Sequence, residues 1–245
     1  MKSYVIGIAG RKNSGKDTVA SMINYIFAVG KTNASFRDWM FRKEVFDNTY
    51  KDRIFHFADP LKDVLSIMYN IPREFFNRRE YKDNLWYCIN SGKFINESSI
   101  SPLHYNIITI EDLSKGKNIS DYFNYMNPKL TVIKLRTLMQ YFGTDICRKY
   151  LANDIWIKSA LSNIINISSN RVICIVPDVR FSNEANALKF NLQSLYGGVI
   201  LVERENDTYE HSSENIDFDT DFVIDNNSTL SKLFYKVLEI CQTIN

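Results

Sequence analysis

The sequence predicts an α/β protein in three layers: a parallel sheet with helices on both faces, carrying an irregular insertion or lid. Three observations carry that prediction. Apolar runs of strand length alternate with stretches of helical periodicity, the order that builds a parallel sheet. The first run passes directly into a glycine-rich turn and then a helix. Between residues 71 and 128 both patterns weaken, and Asn, Ser, Lys and Tyr dominate, as in an insertion rather than a layer of the core.

Residues 4–9 (YVIGIA) form an unbroken apolar run that suits a strand buried on both faces. From residue 17 to 27, Val19, Met22, Ile23, Ile26 and Phe27 recur at helical spacing. Between them lies Gly10-Arg11-Lys12-Asn13-Ser14-Gly15-Lys16-Asp17-Thr18, a G-x-x-x-x-G-K pattern in the strand–loop–helix context that gives it meaning. Backbone N–H groups of such a loop converge on anionic oxygens, and the helix start adds positive potential. Lys16 would reach the terminal phosphates of a nucleoside triphosphate. The next residue is ordinarily a Ser or Thr whose hydroxyl ligates Mg²⁺. Here it is Asp17, itself a hard oxygen ligand, with Thr18 behind it to donate to an inner phosphate. The bland alternative is an ordinary glycine turn, which the order of elements disfavours.

Residues 53–59 (RIFHFAD) read as a second strand, ending at Pro60, which suits a first helical turn. Leu61, Val64, Leu65 and Met68 continue a helical stripe. Arg73, Arg78, Arg79 and Lys82 interleave with Phe75, Phe76 and Tyr81; they read as an amphipathic helix with a solvated basic face, or as arginines leaning over a phosphate. A short apolar burst follows at 105–110. Helical periodicity returns over 131–161 through Leu135, Leu138, Met139 and Phe142. Residues 171–176 (RVICIV) make the strongest strand of the second half, closed by Pro177 and Asp178. A helix over 184–195, strands over 198–202 and 222–225, and a terminal helix over 230–241 complete the layout. No linker separates two independent domains, so residues 1–245 read as one domain with an insertion at about 71–128.

Composition narrows the class. The net charge of +2 is too small to argue for a nucleic-acid surface, and 45% apolar with 24% charged residues is ordinary for a globular chain. Cys88, Cys147, Cys174 and Cys241 lie far apart without metal spacing, which points to a reducing compartment. No apolar stretch reaches membrane-spanning length, and Arg11 and Lys12 interrupt the apolar segment at the start, so a cytosolic protein is expected.

Ligands of open α/β sheets bind beyond the carboxyl ends of the strands. Three sets of polar groups fall there: the glycine loop, Asp59, and Asp178 with Arg180. Asp178 resembles an acidic residue supporting Mg²⁺, or a turn aspartate capping the next helix. Arg180 and Glu184 are alternatively a surface pair at helical spacing. Arg136, Gln140, Thr144 and Arg148 share one face of a helix, where two arginines suit a phosphate clamp as well as a solvated face. Trp156 offers a flat face for a nucleobase or a place in the core.

The sequence G15-K-D-T18, the run 136–145 (RTLMQYFGTD), the segment 175–180 (IVPDVR), His211-x-x-Glu214 and the turn 225–230 (DNNSTL) occur in this order in viral deoxynucleoside monophosphate kinases. The chain resembles the bacteriophage T4 type of that family over nearly its whole length. That resemblance implies a P-loop kinase fold and transfer of the γ-phosphoryl group from ATP to a deoxynucleoside 5′-monophosphate. It implies that Asn13, Gly15, Lys16, Asp17 and Thr18 hold ATP, with Mg²⁺ at Asp17. Lys12 would bridge the two sets of phosphates, while Arg136, Arg148 and Arg180 grip the acceptor phosphate or the developing charge. Gly143, Thr144 and Trp156 would shape the nucleoside pocket, and Asp178 and Glu184 would order Arg180 or the sugar. Glu214 joins the acceptor set; His211 is carried over with no role. The implied partners are ATP and a deoxynucleoside monophosphate, with no stable nucleic acid and no membrane, in the cytoplasm of a host; a homodimer stays open. The alternatives are a kinase of the phosphomevalonate type and a nucleotide-binding switch, although no Asn-Lys-x-Asp guanine-reading motif occurs.

Overall fold

A computed structural model describes residues 4–11, 13–96, 98, 105–108, 130–168, 173–190, 196–205 and 216–244. The chain folds as two compact units: Met1–Phe57 with Ile157–Asn245, and Ala58–Trp156.

The first unit is built on β1 (Tyr4–Gly10), whose neighbours are β6 (Ile173–Val179) and β7 (Tyr196–Glu203), with β8 (Phe222–Asp225) beyond β7. All of these pairings are parallel. Side chains of β1 alternate between two cores, as strand geometry requires. Tyr4, Ile6 and Ile8 pack with α1 (Lys16–Val29), α2 (Phe36–Thr49) and α8 (Leu230–Thr243). Val5 and Ala9 pack on the other face with α6 (Ile155–Ser168) and α7 (Ser182–Phe190). The predicted three-layer α/β arrangement is therefore present, with β1 central because it is apolar on both faces.

Two local readings differ from the structure. Residues 53–59 do not form a full strand: Ile54 makes an isolated parallel bridge to Ile175, and Phe55 N–H donates to the Ile175 carbonyl at 2.8 Å. The ladder stops there because the next odd-numbered amide, Phe57 N–H, is taken by the Asp178 carboxylate at 3.4 Å. Helix α2 was not predicted at all. It buries only Trp39 and Phe46, two turns apart, so its sequence carries no continuous apolar stripe. Its start is nonetheless written in the chain: the Ser35 hydroxyl accepts from Asp38 N–H at 3.2 Å, an N-cap.

The second unit holds α3 (Asp59–Tyr69), α4 (Arg79–Asn84), β2 (Trp86–Cys88), β3 (Lys93–Ile95), β4 (Tyr105–Ile108), β5 (Leu130–Lys134) and α5 (Leu135–Gln140). The strands form a mixed sheet in the order β3-β2-β5-β4. Part of the segment predicted to be irregular is thus sheet. Three-residue strands are too short to display a period of two, which is why the pattern escapes a sequence reading. Leu61, Leu65, Phe76, Tyr87, Ile133, Leu138 and Trp156 are among the residues of its core. The basic cluster is only partly a solvated face. Arg73 bridges Asp59 at 2.8 Å and Asp63 at 2.5 Å on α3, in a single turn that buries Phe76.

After α5 the chain widens into π-helical turns over Tyr141–Leu151, closed by an Ala152 N–H to Cys147 carbonyl bond. Such turns are rare and concentrate at functional sites. They interrupt the helix expected over 131–161, which begins as the strand β5.

Candidate active site

The glycine loop sits at the carboxyl end of the central strand, where β1 meets the start of α1. Its shape needs its glycines. Gly10 has φ +154°, and a Cβ there would lie 2.6 Å from the Val202 carbonyl oxygen and 2.5 Å from Ser14 Oγ. Gly15 stands at φ +102° as the N-cap of α1, a left-handed conformation that side chains strain to adopt. Asn13 takes φ +65°, which asparagine tolerates better than most residues. Between them, Ser14 N–H donates to the Arg11 carbonyl at 3.2 Å, and the Ser14 side chain is fully buried. Lys16 curls back over the loop, its ammonium donating to the carbonyls of Gly10 (2.7 Å) and Arg11. Asp17 is exposed and Thr18 half-buried in the first turn of α1. The loop thus sets an ammonium beside a helix start on one glycine-shaped turn, a combination that suits an anion.

The end of β6 lies beside that loop in the same sheet. Gly7 pairs with Val176 and Ala9 with Val179, so Pro177 and Asp178 together oppose one residue of β1. This is a β-bulge, one of the few places a strand admits proline, and it re-aims the residue it carries. Asp178 Oδ1 accepts from Phe57 N–H, and its Oδ2 lies 3.6 Å from His56 Nδ1. Asp178 does not cap α7; Glu184 does. Glu184 is 2% exposed, and its Oε2 accepts from the N–H groups of Arg180 (2.8 Å) and Phe181 (3.2 Å). That is the return half of a capping box. Glu184 fixes the backbone of Arg180 rather than its guanidinium, and the Arg180 side chain is exposed.

Arg136, Gly143, Thr144, Arg148 and Trp156, expected on the acceptor side, belong to the second unit. Arg136 lies in the first turn of α5, where its Nε donates to Asp83 Oδ1 in a short contact. Arg79 Nε stands 3.6 Å from the other oxygen of Asp83. The Arg136 hydrogen bond and charge hold the Asp83 carboxyl below the usual carboxylate range, against a smaller opposing effect of burial. Gly143 is buried in the π-helical turns, where a Cβ would lie 2.7 Å from Leu61 Cδ2. Its carbonyl accepts from the Trp156 indole N–H at 2.9 Å. Trp156 is 6% exposed, so it belongs to the core and fixes Gly143 from behind rather than offering an open face. Thr144 is exposed and Arg148 half-buried on the same turns.

Lys12, His211 and Glu214 lie outside the described residues. Among the described residues no three His, Cys, Asp or Glu side chains gather into a metal-binding group, and no helix is long and apolar enough to cross a membrane.

Three residues without a role in the sequence pattern each touch a residue or loop that has an expected role, within its own unit. Asp83 holds Arg136, and its signal was the i,i+4 spacing with Arg79 on α4. His56 faces Asp178. Asn226, the first residue after β8, donates from Nδ2 to the Ser14 carbonyl at 2.8 Å.

Comparison with known proteins bears on what such a site does. A family model described as deoxynucleotide monophosphate kinase matches residues 81–237, more than half of the chain. The chain is also 24% identical over 223 residues to the deoxynucleoside-5′-monophosphate kinase of Escherichia phage T5, covering 83% of this chain and 80% of that one.

Proposed function

Since the chain belongs to the deoxynucleotide monophosphate kinase family, we propose that it transfers the γ-phosphoryl group of ATP to a deoxynucleoside 5′-monophosphate, giving the diphosphate. The observation that carries the donor half is the loop after β1, with its glycine-dependent shape and Lys16 folded over its carbonyls. Phosphoryl transfer asks little covalent chemistry of a protein and much positioning and charge stabilisation.

In this reading Asn13, Gly15, Lys16 and Thr18 take the triphosphate through backbone N–H groups, ammonium and hydroxyl. The hard oxygen donor at Asp17 suits Mg²⁺, a cation that takes one or two protein oxygens and completes its shell with phosphates and water. When bound, that ion neutralises charge on the phosphate oxygens. Lys12 and Arg180 serve the phosphates in flight. Arg180 is presented by the Glu184 cap, which fixes its backbone at the end of the bulged strand. Asp178, braced by Phe57 N–H and His56, orders the same end of the sheet.

Arg136 grips the acceptor phosphate through its terminal nitrogens, with Asp83 holding Nε. Arg148 supplies a second guanidinium from the π-helical turns. Gly143 and Thr144 shape the nucleoside pocket, and Trp156 holds that backbone in place. Glu214 completes the acceptor set. We assign the activity to deoxynucleotide supply for viral DNA synthesis in the host cytoplasm, within one kinase domain carrying an insertion at about 71–128.

The test is a coupled ADP-release assay with Mg·ATP and each of the four deoxynucleoside monophosphates. Turnover with at least one of them is expected. Turnover with phosphomevalonate but with no nucleotide refutes the proposal.

A further inference from the structure

The geometry points to Asn226 as a positioning residue for ATP binding, acting on the phosphate loop from the far end of the sequence. The inference rests on the reading of that loop as the donor site. Peptide units are planar and trans, so their C=O and N–H point in opposite directions. Asn226 Nδ2 donates to the Ser14 carbonyl at 2.8 Å. Fixing that carbonyl toward Asn226 fixes the N–H of the same peptide, that of Gly15, in the opposite direction. Gly15 N–H is one of the donors a phosphate loop must aim at its ligand.

The peptide needs holding. Gly15 has φ +102°, and the absence of a side chain makes rotation of the unit before it cheap. A rotated unit would withdraw a donor and turn a carbonyl toward the anion, which is repulsive. The contact is also close: a Cβ on Gly15 would lie 2.5 Å from Asn226 Nδ2. Gly15 is therefore required twice, for its backbone conformation and for the approach of Asn226.

Asn226 is itself rigidly placed. Its N–H donates to the Glu203 carbonyl at 2.8 Å, tying it to the end of β7. The Asn227 side chain donates to Asp225 Oδ1 and accepts from Glu205 N–H at 2.8 Å. Lys236 of α8 bonds both the carbonyl (2.6 Å) and the carboxylate (2.9 Å) of Asp225. The end of β7 thus holds Asn226 directly, while Asn227 and a lysine from the middle of α8 hold the neighbouring end of β8, and the output of that turn is the bond to the Ser14 carbonyl.

The experiment is calorimetric titration of the full chain with Mg·ATP, beside steady-state KM values for the monophosphate and melting temperatures. Asn226→Ala should weaken Mg·ATP binding about tenfold, the worth of one hydrogen bond redirected at an anion. Asn226→Asp, which keeps the shape but sets an acceptor against the Ser14 carbonyl, should weaken it at least as much. It carries the test if the alanine variant does not fold. The monophosphate KM should stay within about twofold of the parent. Asn227→Ala loosens the turn without removing the donor; it should lower the melting temperature and weaken ATP binding clearly less than Asn226→Ala does. An ATP affinity within twofold of the parent in folded Asn226→Ala and Asn226→Asp overturns the proposal. So does an equal loss in Asn227→Ala, which would trace the effect to the turn as a whole. Lys16→Ala keeps the underlying reading separate: if it binds ATP like the parent, the loop is not the donor site, and the proposal falls with it for that distinct reason.

Discussion

Trp156→Phe separates two ways in which an aromatic residue can serve a nucleoside site. If the ring stacked on the base, phenylalanine would preserve much of the function, and the loss would differ between purine and pyrimidine substrates. The structure instead buries Trp156 to 6% exposure and commits its N–H to the Gly143 carbonyl at 2.9 Å. Phenylalanine removes that donor, a net loss of about 1 kcal/mol for a typical hydrogen bond. It also leaves a small cavity in the core to which Trp156 belongs, worth roughly another 1 kcal/mol at the usual cost of lost core volume. A destabilisation of about 2 kcal/mol corresponds to a melting temperature lower by about 4–8 °C for a chain of this size. The Gly143 backbone, freed on one side, should raise the monophosphate KM by a similar factor for all four deoxynucleotides, with the ATP KM unchanged. Thermal denaturation followed by circular dichroism, with the coupled assay run for each nucleotide, reads both effects. An unchanged melting temperature, or a KM penalty confined to purines, refutes the argument that Trp156 works through Gly143.

Lys16→Ala should reduce turnover by roughly 100-fold or more, the scale of losing one preorganised charge from a transition state, with little change in melting temperature. Normal turnover removes the loop from the mechanism. Arg136→Ala should raise the monophosphate KM about tenfold while sparing that of ATP, as loss of a charged hydrogen bond predicts; a change confined to ATP reverses the assignment of α5. The Arg136–Asp83 pair also makes a pH prediction. Asp83 is held below its unfolded pKa, so the stability it contributes is complete above the ordinary carboxylate range and is lost as pH falls through the lowered value. The melting-temperature difference between parent and Asp83→Asn should therefore be constant from about pH 6 to 8 and shrink below about pH 4; a difference that grows on acidification contradicts the sign.

What was legible in the chain divides by the range of the interaction that encodes it. The three-layer sheet was readable because YVIGIA and ICIV are buried on both faces and need no partner to declare themselves. The loop was readable because its function is local: glycines, lysine and helix start are contiguous. Helix α2 was hidden because it buries just Trp39 and Phe46, and the Ser35 cap alone is a weak signal. The segment 53–59 was misread as a strand because its apolar pattern is real while its ladder is cut short by a side chain 121 residues away. In the second unit, β2 and β3 are too short for periodicity, and the π-helical turns after Gln140 break the four-residue spacing from which one face for Arg136, Thr144 and Arg148 was inferred.

The same division applies within the site. A motif names the atoms that touch a phosphate, and the sequence displays them together because one turn must supply them all. It does not name the groups that decide which way each peptide of that turn faces. Gly15 illustrates the asymmetry: its freedom makes the loop possible and equally makes the wrong peptide orientation accessible. Something rigid must choose between them, and a turn of flexible residues cannot do so from within. The choice falls to an amide 212 residues along the chain, held by the ends of two strands and braced by Lys236 from the middle of α8. The parallel sheet is what brings it there, because every strand of it ends on the same edge. The layered fold therefore does more than carry the loop: it delivers to that edge the one hydrogen bond that the loop's own residues cannot supply.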